Sequence, residues 1–497
     1  MSELVLTIDA GTTGVKVLVL DGAVDVRGRA YSEFTQHYPR PGWVEHDPEE
    51  IWLVTQQVMK QALEEAGATG ADLAAVGITN QRETTVLWDR RTGEPVARAI
   101  VWQCRRSAPI CERLKASGLE AELRRRTGLV IDPYFSGTKI MWYLDELEGV
   151  RTRAETGELA FGTVDTWLMW KLSGGQVHAT EPSNASRTLL YSLEQQTWDE
   201  WILEQLSIPP GLLPEVKPSS GAFGETSVDV LDKAVPIGGV AGDQQAALFG
   251  QACFEVGMAK NTYGTGSFVL MNTGEESALS SHGLLTTAAW DAGAGVRYAL
   301  EGSIFATGAA VQWLRDGIGI IDASAEIGPL AESVPDAGGT YLVPAFVGLG
   351  APHWDPYARG AYLGITRGTT KAHLARAAIE AMVFQTRDVV EAMAADSGMG
   401  LQELRVDGGA SVMDLMCRLQ ADQLDVVVRR PANLETTALG AAYLAGLATG
   451  VWSSPAEITD AWKPAAEFEP SADRAAADAA YEGWKKAVAR SKAWAER

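Results

Sequence analysis

Two short glycine/threonine turns, each set between runs of β-formers, constrain the fold most. The first lies in LVLTIDAGTTGVKVLVL, from Leu4 to Leu20, where apolar, β-branched residues flank Gly11-Thr12-Thr13-Gly14. Such a pattern predicts a β-hairpin. The second, NTYGTGSFVLMN from Asn261 to Asn272, repeats the chemistry in the other half of the chain around Gly264-Thr265-Gly266. Backbone N–H groups in turns of this kind can converge on a phosphate. Asp9, beside the first turn, stands where it could hold Mg²⁺. It would do so mostly through water, because Mg²⁺ gives up its hydration reluctantly. Lys16 could face the phosphates as a point charge. Two phosphate-cradling hairpins far apart in sequence predict an internal duplication with a nucleotide between the halves.

Two further segments carry chemistry. In PIGGVAGDQQAALF, Pro236 to Phe249, an apolar strand runs into Gly242-Asp243 and then an alanine-rich helix. Asp243 therefore falls at or near a helix N-terminus, where the macrodipole favours a carboxylate. An N-capping role and a general-base role both fit there. In Ile78-Thr79-Asn80-Gln81-Arg82-Glu83-Thr84-Thr85, adjacent opposite charges follow the apolar run Ala74–Ile78. A surface salt bridge would satisfy that pattern and contribute little. The same couple could also grip a small polyhydroxylated molecule, since Arg donates up to five hydrogen bonds and Glu accepts several.

Strand-like runs alternate along the chain with helical stretches such as Pro48 to Ala66, whose apolar positions recur at three and four residues. This alternation predicts α/β layers. The boundary between two domains is expected between about 246 and 256, dividing the chain into 1–250 and 251–497; 497 residues suffice for two full cores. Ala438 to Trp452 is apolar but shorter than the ~20 residues of a membrane span, and reads as a buried helix. Ala472 to Arg497 also reads as helix. Cys104, Cys111, Cys253 and Cys417 are scattered without paired histidines, so neither zinc nor a disulfide framework is expected. A net charge of −22 argues against nucleic-acid binding. No basic-then-apolar leader precedes Leu4, and a cytoplasmic location is expected.

Together these residues resemble the FGGY carbohydrate kinases, and among them most closely the branch that acts on glycerol. The resemblance runs along nearly the whole chain: 41–48, 77–85, 100–103, 132–139, 161–167, 241–251, 258–266, 344–346 and 348–352. Two family signatures, Tyr134 to Glu146 and Gly360 to Glu380, add to it. Many long matches in order are far more specific than one motif. The resemblance implies a two-domain ribonuclease-H-like (actin-type ATPase) fold with an interdomain cleft, and transfer of phosphate from Mg²⁺–ATP to glycerol. It implies Asp243 as the catalytic base. Glycerol would be bound by Arg82, Glu83, Tyr134, Asp243 and Gln244, with Trp102 and Phe268 packed against its C–H side. Thr12, Thr13, Gly14, Lys16, Thr265, Gly308, Gln312, Gly409 and Met413 would bind the nucleotide, and Asp9 with Asp243 the metal. A homodimer or homotetramer is implied as well.

Several positions depart from the family pattern. Met413 and Asp414 stand where an asparagine pair is usual, Ala10 where a glutamine is usual, and Pro182 replaces a tyrosine. The stretch from Gly221 to Pro236 lacks the Gly-rich, Arg-containing loop linked to sugar-phosphate inhibition. No histidine lies between His178 and His282 that a phosphotransferase protein could phosphorylate. A kinase for another small polyol or ketose, or a non-enzymatic actin-like nucleotide switch, remains open on the fold alone. The Arg82–Glu83–Tyr134–Gln244 set speaks against a switch, which has no need of a polyol pocket.

Overall fold

The computed structural model describes residues 4–471 and 473–495. Six strands build the first sheet: β1 (Leu4–Ala10), β2 (Gly14–Leu20), β3 (Val26–Glu33), β4 (Leu73–Asn80), β5 (Ser220–Glu225) and β6 (Pro236–Gly242), in the order β5-β6-β4-β1-β2-β3. Seven build the second: β7 (Met258–Tyr263), β8 (Ser267–Gly274), β9 (Leu285–Asp291), β10 (Val296–Ile304), β11 (Glu403–Asp407), β12 (Val428–Pro431) and β13 (Pro464–Phe468), in the order β9-β10-β8-β7-β11-β12-β13. The cores of the two sheets repeat each other. In β3-β2-β1-β4-β6 and in β10-β8-β7-β11-β12, three antiparallel strands are extended by two strands parallel to β1 or β7; in the second sheet β9 comes between β8 and β10 in sequence and pairs outside β10. The duplication predicted from the two turns is therefore present in the topology, and both turns form antiparallel hairpins.

Seven helices matter to the site: α1 (Pro48–Ala66), α2 (Ser136–Glu146), α3 (Asp243–Gly250), α4 (Lys371–Ser397), α5 (Asp414–Leu424), α6 (Thr436–Thr449) and α7 (Arg474–Ser491). The first covers the residues expected from periodicity. Its start is fixed by Asp47, whose side chain accepts from the N–H of Glu49 at 2.9 Å, and by Pro48 in the first turn. It ends at Gly67, which is left-handed at φ 63°. The apolar stretch expected as a buried helix is α6, followed by Trp452 folded back onto it. The C-terminal helix α7 is shorter than the expected 472–497, and residues 472 and 496–497 of that expectation lie outside the described residues.

Alternation along β1 explains the layering. Leu4, Leu6 and Ile8 face one core with Ile51, Val58 and Met59 of α1; Val5 faces the other with α3 and α6. A strand apolar on both faces has to be covered on both. The core around α3 and α6 also takes in Met258, Leu270 and Ala299 from the second sheet, so this helix pair lies between the halves. The two helices touch backbone to backbone. A Cβ on Gly250 would lie 1.9 Å from the Thr436 carbonyl oxygen, and one on Gly440 1.8 Å from that of Ala246. On the first sheet, α6 lies equally close at Gly77 and Gly239. Only glycine allows such approaches.

Candidate active site

In each sheet the parallel strands end at one edge, and the segments carrying Asp9, Arg82, Asp243, Thr265 and Gly409 lie there. Register pairs Ala10 with Asn80 and Gly242 with Asn80, so β1, β4 and β6 deliver Asp9, Arg82 and Asp243 side by side. In the second sheet Thr262 pairs with Asp407, which brings the turn after β7 beside Gly408-Gly409 after β11. Carboxyl ends of parallel strands are where open α/β sheets bind ligands.

In the first hairpin the turn carbonyls are taken from behind. Gln81 Nε2 donates to Gly11 O at 3.0 Å, Gln36 Nε2 to Thr12 O at 3.0 Å, and the Phe34 N–H to Thr13 O at 3.3 Å. Among the described residues no acceptor takes the N–H of Thr12 or Thr13, which leaves both for an incoming anion. Trp102, half-buried, donates its indole N–H to Thr12 Oγ1 at 2.9 Å, so it braces this turn as well as facing Tyr134 edge-on at 5.6 Å. Lys16 does not stand free before the phosphates: its ammonium meets Glu435 at 2.6 Å, just ahead of α6. Burial opposes its charge, and Glu435 outweighs that and raises its pKa.

Asp9 pairs across the hairpin with Lys16. Burial, opposed by Lys16 and reinforced by the negative charge of Asp243, pushes its carboxyl up to about 7. Among the described residues no hydrogen-bond donor meets that carboxylate. A carboxylate without a donor, beside a second one that raises its proton affinity, is a donor set suited to a divalent cation. No cluster of three or more acidic, histidine or cysteine side chains able to hold a metal occurs among the described residues.

On the nucleotide side, Thr265, Gly308, Gln312, Gly409 and Met413 all line one cavity of about 690 Å³. The turn is seated on the start of a short helix: the N–H groups of Gly308 and Ala309 donate to Gly264 O and Thr265 O, each at 3.0 Å. Gly408 is left-handed at φ 83°, and a Cβ there would lie 2.4 Å from Tyr263 O. Met413 reaches the cavity wall near Gly328, while Asp414 turns to Arg430 at 2.9 Å. Both departures from the family pattern lie in the wall of this cavity, Met413 as an apolar group and Asp414 as a carboxylate paired with Arg430.

The acceptor side differs most from a surface strand end. Arg82 and Glu83 are buried, 3% and 2% exposed, and scarcely pair with each other: Arg82 Nε to Glu83 Oε1 is 3.9 Å. Arg82 gives Nε to Asp243 at 3.2 Å and its two terminal nitrogens to Glu301. Glu83 accepts from Arg187 Nε at 2.7 Å. The reading as an exposed salt bridge is thus overturned, because both charges have distant partners that the local sequence does not show. Glu83 is left-handed at φ 60°, a conformation that its surroundings have to enforce. They do so through its carbonyl, which accepts from Ser136 Oγ at 3.0 Å and Lys139 Nζ at 3.3 Å. Both donors belong to α2, within the first family signature.

Asp243 is the first residue of α3, with Gly242 as the cap, and one of its oxygens accepts the N–H of Gln244 at 2.7 Å. Burial raises its pKa, with Arg82 and Lys260 pulling the other way. Its side chain keeps 27% exposure toward the cleft. Gln244 accepts from the Lys260 ammonium at 2.5 Å. The Tyr134 hydroxyl meets no hydrogen-bond partner among the described residues, and its ring lies 5.5 Å from the Arg187 guanidinium. Phe268 lies under Arg82 at 5.7 Å. The residues missed in the sequence are Arg187, Lys260, Glu301 and Glu435. Each is an isolated charge in a strand or turn, and only the contacts across the fold distinguish it from a solvated one.

The family model for the N-terminal domain of the FGGY family of carbohydrate kinases matches residues 4–250, and that for the C-terminal domain matches 259–449. The chain is 58% identical over 493 residues to a glycerol kinase of Carboxydothermus hydrogenoformans, covering 99% of both. It is 58% identical over 495 residues to glycerol kinase 2 of Thermotoga maritima, covering 100% of both. Among solved structures, Plasmodium falciparum glycerol kinase with ADP matches with a TM-score of 0.93 at 34% identity, covering 99% of this chain and 98% of that one. A xylulose kinase from Lactobacillus acidophilus, at a TM-score of 0.88 and 20% identity over 99% of each chain, shares the fold. This chain belongs to the FGGY family of carbohydrate kinases.

Proposed function

We propose that the protein transfers the γ-phosphoryl group of ATP to glycerol, giving sn-glycerol 3-phosphate for glycerol catabolism. The observation that carries this reading is identity of 55–58% over essentially the full length to proteins named glycerol kinase. The charged set of Arg82, Glu83 and Asp243 at the ends of β4 and β6 supports it. We assign residues 1–250 to acceptor and phosphate binding and 251–497 to the nucleotide.

Phosphoryl transfer to an alcohol needs in-line positioning, charge neutralisation and an acceptor for the hydroxyl proton. Arg82, Glu83, Tyr134 and Gln244 supply donors and acceptors for a three-hydroxyl molecule, with Trp102 and Phe268 against its carbons. Asp243, held by Arg82 and facing the cleft, takes the proton from the attacking hydroxyl. Thr12, Thr13, Gly14 and Thr265 hold phosphate oxygens through backbone and hydroxyl groups. Lys16, carried by Glu435, adds positive charge, and Gly308, Gln312, Gly409 and Met413 enclose the nucleoside. Asp9 and Asp243 would hold Mg²⁺ mainly through water, and the ion would neutralise phosphate charge. A buried hydrogen-bonding site rejects an analogue lacking a hydroxyl, because its partner is then left unpaired. No helix among the described residues is long and apolar enough to cross a membrane. We infer a cytoplasmic enzyme that assembles as a homodimer or homotetramer.

The test is ADP release from Mg²⁺–ATP with glycerol, erythritol, xylulose, 1,2-propanediol or no acceptor. Glycerol-dependent release, weak with 1,2-propanediol, supports the reading; a larger signal with xylulose or erythritol moves it to a sister kinase. No acceptor-dependent release at all removes it.

A further inference from the structure

Glu301 lies in the middle of β10, on a strand with no motif, and its carboxylate is fully buried. Oε1 accepts from Arg82 at 3.2 Å and from Arg187 at 3.0 Å, while Oε2 accepts from the other terminal nitrogen of Arg82. Arg187 in turn donates Nε to Glu83. One carboxylate of the second sheet thus reaches both members of the 82–83 couple of the first sheet: Arg82 directly, and Glu83 through Arg187.

The alternatives open to these side chains are costly. If Arg82 rotated away, it would leave Glu301 and Asp243 short of a partner in a buried setting; if Arg187 did so, Glu83 would lose its ion pair. Arg187 itself is fully buried, its remaining terminal nitrogen meets no partner among the described residues, and only Glu83, Glu301 and the Tyr134 and Phe135 rings locate it. Burial would push the Glu301 carboxyl up, but Arg187 and Arg82 outweigh it and hold the group at about 2. It is therefore an anion throughout the neutral range.

We propose that Glu301 is the positioning residue of the acceptor site, fixing Arg82 and, through Arg187, Glu83. The polyol grip is then complete only when the two halves of the molecule are docked. The proposal rests on the reading of Arg82 and Glu83 as the pair that binds glycerol. It assigns no contact with substrate to Glu301 itself.

The experiment compares full-length wild type with Glu301→Gln, Glu301→Asp and Arg187→Lys. It measures kcat, KM for glycerol, KM for ATP and thermal midpoint. A misplaced grip raises the glycerol KM of Glu301→Gln by ~10- to 100-fold and leaves the ATP KM within ~2-fold. Glu301→Asp, which keeps the charge on a shorter arm, recovers part of that loss. A purely structural role would instead lower the thermal midpoint and the active fraction at an unchanged glycerol KM, and that result overturns the proposal. If neither Glu301 variant folds, Arg187→Lys decides: it keeps a cation for Glu301 but not the fork to Glu83, and an unchanged glycerol KM sinks the idea. Wild type with no glycerol-dependent turnover overturns the glycerol reading and this proposal together. Wild-type activity with native KM values in the variants overturns this proposal alone.

Discussion

The same topological position carries opposite chemistry in the two halves. After β4, the fourth core strand of the first sheet, the chain continues into Arg82-Glu83, two charges buried among other charges. After β11, its counterpart in the second sheet, it continues into Gly408-Gly409, bare backbone beside a cavity of about 690 Å³. A duplicated scaffold has thus been fitted to two ligand types. On the proposed function the small acceptor would be met by directional, charge-assisted hydrogen bonds set in advance. The large nucleotide would be met by room, backbone N–H groups and shape. Stability is put at risk on the first side, where every buried charge depends on its partner, and much less on the second.

That contrast can be broken most sharply at Asp243. Asp243→Asn keeps size and one hydrogen-bond acceptor but cannot take the proton, and should lower kcat by about 10³-fold, as general-base catalysis contributes. Assays of ADP release at saturating glycerol and ATP read the effect, and near-native turnover would move the base elsewhere. Next comes Arg82→Met, which leaves Glu301 and Asp243 without their shared cation. It should lose about 3–5 kcal/mol of stability, the scale for breaking a buried ion pair. Denaturant unfolding checks this, and a change under 1 kcal/mol would mean the network tolerates vacancies.

A third prediction concerns pH. Burial lowers the Lys260 ammonium from 10.5 to about 8. With the folded value below the unfolded one, the stability owed to the neutral form is fully present above 10.5 and lost as pH falls through 8. The charged donor to Gln244 behaves inversely and is lost as pH rises through 8. If the charge is needed, kcat/KM for glycerol falls about tenfold per pH unit above that value. Lys260→Met should abolish this limb while leaving the acid side in place.

On the nucleotide side the expected effects are smaller. In Gly308→Ala the new methyl would lie 2.5 Å from Gly264 O and must shift the turn. The ATP KM should rise ~10-fold with the glycerol KM unchanged, since misplacement by about an ångström has costs of that order or more. An equal rise in both constants would mean the two sides are not separable. The smallest effect belongs to Met413→Asn. Restoring a polar group to the cavity wall adds at most one hydrogen bond, worth about 1 kcal/mol net, and lowers the ATP KM a few-fold in a titration.

What could be read in the sequence follows the same division. Both hairpins, α1 and the buried α6 are local in sequence, and periodicity or turn chemistry marks them; Gly308, Gln312, Gly409 and Met413 are named only through the family resemblance. Lys16, Arg82 and Glu83 were recognisable as candidates, but not their partners. Glu435 in a turn, Arg187 after a short helix and Glu301 within VRYALEGSI each look like ordinary solvated charge. Only the pairing of distant segments buries them. The α7 helix stops at Ser491, where the chain turns left-handed at Ala493 and gives the N–H groups of Ala493 and Ala495 to Asp355 and Tyr357, tertiary partners that composition does not show. Pro182 has a structural account that the sequence did not supply: it occupies the first position of a four-residue helix capped by Glu181, where its fixed φ and missing N–H cost little.

The crossing of α3 and α6 at Gly250 and Gly440 has a mechanical consequence. Two rods that meet on bare backbone act as a fulcrum, and the half-molecules on either side are its levers. Any atom added at that point becomes a wedge whose thickness is multiplied by the length of the lever arm. A graded series of residues at Gly440 would therefore work as a dial on the resting gape of the cleft.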